Sequence, residues 1–142
     1  MSDPYRILPE LPPEQQAIRA KCFHPSGAFV EFTKEEIEQS IPARFEQQVG
    51  KYPERIAVQS KNHTLTYEAL NRAANRAARA ILAICGEEQQ PVALLLANDA
   101  PMIVAMMGVL KARKFYVQID PSHPPARIKD ILEDSQAALV LT

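Results

Sequence analysis

Glycine is scarce in this chain: Gly27, Gly50, Gly86 and Gly108 are the only four in 142 residues, and each stands alone. A backbone cradle for phosphate needs residues that tolerate unusual dihedrals and close approach, usually glycines in series. The chain therefore carries no recognisable nucleotide-phosphate loop. No strand leads into a glycine-rich turn, which weakens a small flavodoxin-like nucleotide binder as a reading. Cysteine is limited to Cys22 and Cys85, expected as free thiols in a chain with no sign of secretion. Cys22 and His24 lie close, but a metal site needs three or four ligands, so none is assigned. No apolar run approaches the roughly 18 residues of a membrane span, and the N-terminus lacks a signal-peptide core. There is no surplus of basic charge: 16 Lys and Arg face 17 Asp and Glu, a net charge of -1. That balance argues against a nucleic-acid or membrane partner. A cytoplasmic location is the resulting expectation.

What is present is an ordinary globular composition, 46% hydrophobic and 23% charged, in a chain long enough to bury a core. Its organising stretch is Ala100 to Pro121. The run from Met102 to Leu110 is apolar on every face, the pattern of a helix buried all round. Asp99 and Pro101 form a start signal, a capping oxygen followed by a proline in the first turn. Gly108 weakens such a helix, so a close backbone approach against a sheet is its expected use. Lys111, Arg113 and Lys114 follow at the helix end, where the dipole favours cations, and are read as a solvated cluster. Phe115 to Ile119 alternates as a strand that Asp120-Pro121 ends.

Residues 1–39 are read as a proline-rich arm with a short strand and helix. Pro4, Pro9, Pro12, Pro13 and Pro25 exclude a long helix there. A short helix over Glu14 to Phe23, a strand over Ala28 to Phe32 and a capping box at Thr33–Glu36 are expected. Beyond the arm, Ser40 caps a helix with Pro42 in its first turn. Ile41, Phe45 and Val49 share its inner face, and Gly50 is expected to end it in a left-handed conformation. Ile56–Ser60 and Thr64–Thr66 form a hairpin, with His63 solvated at its tip. Thr66 caps the next helix, whose buried stripe is Leu70, Ala73, Ala74, Ala77, Ile81 and Leu82, and Gly86 closes it. Pro91 to Ala97 is a central parallel strand. Ser122 to Pro125 opens a last helix with Ile128, Ile131 and Leu132 inward, and Leu139 to Leu141 is a final strand. The alternation predicts an α/β fold: a mostly parallel sheet with helices on both faces, plus a β-hairpin.

From Ser40 onward, over about 100 residues, the chain resembles the N-terminal part of the adenylation domains of nonribosomal peptide synthetases. These belong to the superfamily of AMP-forming acyl- and aryl-CoA synthetases and luciferases. Leu65-Thr66-Tyr67-Glu68-Ala69-Leu70 is similar to the first core motif, Leu-Thr-Tyr-x-Glu-Leu, with the glutamate one place early. Leu110-Lys111-Ala112-Arg113-Lys114-Phe115-Tyr116-Val117-Gln118-Ile119-Asp120 is similar to the second, Leu-Lys-Ala-Gly-x-Ala-Tyr-Val-Pro-Ile-Asp. Phe45 to Val49, Pro53, Ile56 to Val58, Pro121, Pro124 and Arg127 also fit. Arg113 stands where the family prefers glycine, a strained substitution if that position needs a positive φ.

The resemblance implies an enzyme that activates a carboxylic acid with ATP and Mg as an acyl-adenylate, then loads it on a carrier-protein thiol. The family's phosphate loop, adenine contacts and catalytic lysine lie downstream of the motifs present here. No catalytic, cofactor-binding or metal residue is therefore carried over, and no cofactor is assigned to this chain. Residues 40–142 are read as a truncated N-terminal α/β segment, inactive alone. An unpaired sheet edge that invites self-association is expected, with the rest of the adenylation domain and a carrier protein as partners. The other reading is a non-catalytic docking or scaffold module of an assembly-line synthetase, gripping an acidic carrier through Lys111, Arg113 and Lys114.

Overall fold

The computed structural model describes residues 12–14 and 34–142. The chain divides into two units, residues 1–38 and 39–142. In the first unit, Pro13 and Glu14 are helical and Lys34–Ile37 forms a single turn, α1. The rest of the expected helix to Phe23, the strand at Ala28–Phe32, Thr33, Cys22 and His24 lie outside the described residues.

The second unit opens with α2, Ile41–Lys51, capped as its sequence predicts: the Ser40 side chain accepts from the Ala43 amide at 3.2 Å, with Pro42 in the first turn. Two expectations for this helix are corrected. Gly50 does not end it; the helix runs through it to Lys51 and stops at Tyr52, with φ -139. Pro53 accounts for the stop, since the residue before a proline is pushed out of the helical region. Ile41 is not on an inner face: it is 64% exposed, while Phe45 lies against the Tyr67 ring at 6.0 Å between centroids.

Strands β1, Ile56–Gln59, and β2, Thr64–Thr66, pair antiparallel with a bulge between Ile56 and Val58. The turn between them is tied by Ser60, whose amide donates to the His63 carbonyl at 2.8 Å. Thr66 then caps α3, Tyr67–Cys85, accepting from the Ala69 amide at 3.1 Å. Its buried stripe is Leu70, Ala74, Ala78 and Ile81, with Ala73, Ala77 and Leu82 half-buried. Gly86 closes α3 at φ 64 and ψ -164, a positive-φ backbone that glycine adopts without a Cβ penalty. Cys85 is a free, half-buried thiol.

Strand β3, Pro91–Leu95, is the centre of a three-stranded parallel sheet in the order β4-β3-β5. Its companions are β4, Phe115–Ile119, and β5, Leu139–Leu141. Helix α4, Ala100–Lys111, connects β3 to β4, and α5, Pro125–Ser135, connects β4 to β5. The two crossovers run in opposite directions across the sheet, so right-handed connections put α4 and α5 on opposite faces. On one face Val92 and Leu94 pack with Ala78 and Ile81 of α3 and Met102, Ala105 and Val109 of α4. Tyr116, Leu139 and Leu141 lie on the same cluster, as the register dictates, since Val92 stands opposite both Tyr116 and Leu139. This is the α/β fold with a parallel sheet and a hairpin that the alternation predicts.

Helix α4 is the rod at the centre. Every residue from Met102 to Lys111 is buried or half-buried. Gly108 serves a close approach, but to a helix rather than to the sheet. A Cβ at position 108 would sit 2.7 Å from Ala77 Cβ and 3.4 Å from the Ala74 carbonyl oxygen, so α3 and α4 meet almost backbone to backbone. Ala74, Ala77 and Ala78 leave the room for that contact.

The second face of the sheet is less covered. Ala93 stands opposite Val117 and Val140 in register, and Val140 is 39% exposed. Phe115, at the start of β4, is 48% exposed. Among the described residues, no further strand pairs with the outer edge of β4 or of β5.

Candidate functional site

The turn from α4 into β4 is built by its backbone. Ala112 donates to the Gly108 carbonyl at 3.0 Å, Arg113 to Leu110 at 3.1 Å and Lys114 to Val109 at 3.1 Å. The last two are the paired bonds of a Schellman motif, which requires a left-handed residue just past the cap. That residue is Arg113, with φ 57. The positive φ that would make this arginine uncomfortable is thus present, at a cost of about 1–2 kcal/mol relative to a right-handed conformation.

The turn sorts its three cations into different environments, which corrects their reading as a solvated cluster. The Lys111 side chain is only 6% exposed and pairs with Glu46 of α2, with its ammonium 5.9 Å from the Phe45 ring centre. Lys114 is 3% exposed and donates to the Glu88 backbone carbonyl. Each lysine lays its stem along apolar surface and finds an oxygen for its head, because a buried ammonium without one is costly. Of the three, Arg113 alone is exposed, and its side chain has no hydrogen-bond or ion-pair partner among the described residues. Nothing local in the sequence signals Glu46 or Glu88 as partners, which lie 65 and 26 residues away.

The three cations and Glu46 line an open groove of about 960 Å³ between α2, α3 and the α4–β4 turn. Among the described residues, Arg79, Lys111, Arg113 and Lys114 lie along it, against one acid, Glu46, which is already paired. Leu82, Leu110, Ala78, Ile41 and Pro42 supply apolar surface. Arg79 points from the outer side of α3, its Nε donating to the Asn75 carbonyl at 3.3 Å.

A second constellation joins the hairpin to α4. His63 sits at the turn tip, 45% exposed, but its ring is not simply solvated: Nδ1 lies 3.1 Å from Asp99 Oδ2. The other carboxylate oxygen, Oδ1, accepts from the Ala100 amide at 2.6 Å and so caps α4. The Ser60 hydroxyl, then the Ala100 amide, then His63 hold the Asp99 carboxyl below the usual carboxylate range. Ser60 Oγ accepts from the His63 amide at 3.0 Å, not from the imidazole, so the three side chains form a clasp and not a nucleophilic relay. Asp120, ending β4, is likewise lowered, chiefly by the Ser122 amide that donates to its Oδ1 at 2.8 Å.

Among the described residues no three His, Cys, Asp or Glu side chains gather into a metal-binding group. Nor, among them, does a glycine-rich turn face a helix N-terminus.

The fold as a whole superposes on the N-terminal subdomain of adenylate-forming enzymes. The N-terminal subdomain of Klebsiella oxytoca NpsA superposes with a TM-score of 0.68 at 18% identity, over 73% of this chain and 27% of that one. An anthranilate CoA ligase, AuaEII, in complex with anthranoyl-AMP gives 0.67 at 19% identity, over 72% and 20%. Residues 45–142 match the AMP-binding enzyme family, and the chain belongs to it. In sequence it is similar to gramicidin S synthase 2 of Brevibacillus brevis, 43% identical over 104 residues, which are 73% of this chain and 2% of that protein. Surfactin synthase subunit 1 of Bacillus subtilis (strain 168) is 36% identical over 138 residues, 97% of this chain and 4% of that protein. The chain thus spans a few per cent of the length of these relatives, and the resemblance to the N-terminal part of an adenylation domain is borne out.

Proposed function

We propose that this chain is the N-terminal segment of an ATP-dependent enzyme that activates an amino, aryl or acyl acid as its acyl-adenylate and loads it on a carrier-protein thiol. The observation that carries this reading is the family match across 45–142, on a fold that superposes on an adenylate-forming N-terminal subdomain. The whole enzyme would use ATP and Mg, in the cytoplasm. Among the described residues, no helix is long and apolar enough to cross a membrane. Its partners would be the remainder of the adenylation domain and a carrier protein; an artificially fused adenylation–PCP di-domain is among its structural neighbours.

The chain alone is inactive in this reading, which is supported by the lack of a glycine-rich turn facing a helix N-terminus among its described residues. ATP–pyrophosphate exchange across a panel of amino and aryl acids tests this: no exchange above blank is expected, and measurable exchange overturns it. The open edges of β4 and β5, with Phe115 and Val140 exposed, favour self-association through this face. Light scattering after chromatography is expected to detect dimers that Val140→Lys disperses; a monodisperse monomer at all concentrations argues against it.

The second reading, a docking module that grips an acidic carrier through Lys111, Arg113 and Lys114, loses two of its three cations to internal partners. Only Arg113 is left to serve it from that turn.

A further inference from the structure

We propose that the groove between α2, α3 and the α4–β4 turn is a docking surface for an acidic amphipathic helix of a partner protein. Arg113 and Arg79 take its carboxylates, and Ile41 and Leu82 take its apolar face. The proposal concerns a binding face and stands whether or not the adenylating reading holds.

Charge complementarity is the first support. Among the described residues, four cations and one acid line the groove; Lys111 is spent on that acid and Lys114 on a carbonyl, which leaves Arg79 and Arg113 as its exposed charges. Among the described residues Arg113 has no partner and Arg79 bonds only through its Nε, leaving its terminal nitrogens for a fork-like grip on carboxylate. Lys114 donates to one carbonyl from a position that is 3% exposed, so its remaining charge adds to the field along the groove.

Apolar surface is the second. Ile41 lies 64% exposed at the groove, beside the half-buried Leu82. A small anion would leave that surface wet. A helix with leucines on one side and carboxylates flanking them would cover it and meet the arginines at once. The site is an open trough with no glycine-rich cradle, the shape for a helix and not for a free phosphate.

The conformation of Arg113 is the third. The left-handed position disfavours any side chain, and glycine would relieve it. Strain held at a surface position with an unpaired charge fits a residue that is stabilised by its partner.

The test uses the full chain and a fluorescein-labelled synthetic helix about 18 residues long, leucine on one face and glutamate on the rest. Fluorescence anisotropy at low salt is expected to give saturable binding that weakens as salt rises. Arg79→Glu with Arg113→Glu is expected to weaken it at least about tenfold. Arg127→Glu with Lys129→Glu, an equal charge change on α5, is expected to leave it within about twofold. Should the double reversal not fold by circular dichroism, Arg79→Glu alone carries the same comparison, with a smaller loss. The proposal is overturned if the glutamate helix does not saturate, if a lysine version binds equally, if the α5 control loses as much, or if inorganic pyrophosphate displaces the peptide by occupying the groove.

Discussion

Gly108 of α4 and Ala77 of α3 face each other so closely that a Cβ on the glycine would lie 2.7 Å from the alanine methyl. Two opposed effects act on Gly108→Ala. Helix propensity favours alanine by about 1 kcal/mol. Steric overlap opposes it, because the obstacle is a methyl fixed to the backbone, with the Ala74 carbonyl close behind. Overpacking of this kind costs about 1–3 kcal/mol, so a net loss and a Tm a few degrees lower are expected by thermal denaturation. Adding Ala77→Gly should recover part of the loss, since the two residues are in contact and their effects do not add. A rise in Tm for Gly108→Ala alone would mean that the helices are further apart than described.

The left-handed turn at Arg113 leads to the opposite sign. Arg113→Gly removes a side chain from a conformation that disfavours it, and about 1 kcal/mol of stabilisation is expected. In a chain of this size that is a Tm increase of about 2–4 °C. Arg113→Val should lower stability, as a β-branched residue tolerates a positive φ least. If glycine lowers Tm, the turn is not left-handed in solution.

Glu46 and Lys111 are unequal partners. The lysine side chain is 6% exposed and the glutamate 55%. Glu46→Ala therefore leaves a nearly buried ammonium without its acceptor, an expected loss of about 1–2 kcal/mol in urea unfolding. Water at the exposed side of the pair keeps the figure low. Lys111→Met removes the charge and keeps the stem, and a smaller loss is expected. A neutral Glu46→Ala would mean that solvent already satisfies the lysine.

Asp99 makes stability depend on acid. Its carboxyl is held below the usual range in the folded chain, chiefly by the Ser60 hydroxyl and the Ala100 amide. The folded state then binds fewer protons than the unfolded one near the ordinary aspartate pKa. Its stabilising contribution is complete above that value and is lost as the pH falls through the lowered one. Asp99→Asn keeps an N-cap acceptor but does not titrate. Between about pH 5 and about pH 3, its denaturation midpoint is expected to fall less than that of the unsubstituted chain. Parallel curves would place the acid sensitivity elsewhere, with Asp120 the next group to vary.

Where a structural feature depended on residues a few positions apart, it was legible in the sequence. Ser40, Thr66 and Asp99 cap helices because the acceptor and the amide it serves are no more than three residues apart. The strand–helix alternation from Pro91 to Leu141 was equally readable, since each element shows its buried face in its period. The resemblance of two short motifs to adenylation domains added the family, and the position it flagged, Arg113, is the one the turn strains.

Partners distant along the chain were decided only by tertiary structure. The cations at 111–114 read as one cluster because sequence orders them by neighbourhood; folding brought Glu46 to one and the Glu88 carbonyl to another, and left the arginine exposed. Gly108 announced a close contact but not that its neighbour was a helix, and His63 gave no sign of Asp99, 36 residues on. Local hydrogen bonding and periodicity are written in adjacent residues, so the chain alone determined its elements and their order. Which charge is buried, paired or free depends on what lies across the fold, and no run of neighbours encodes that.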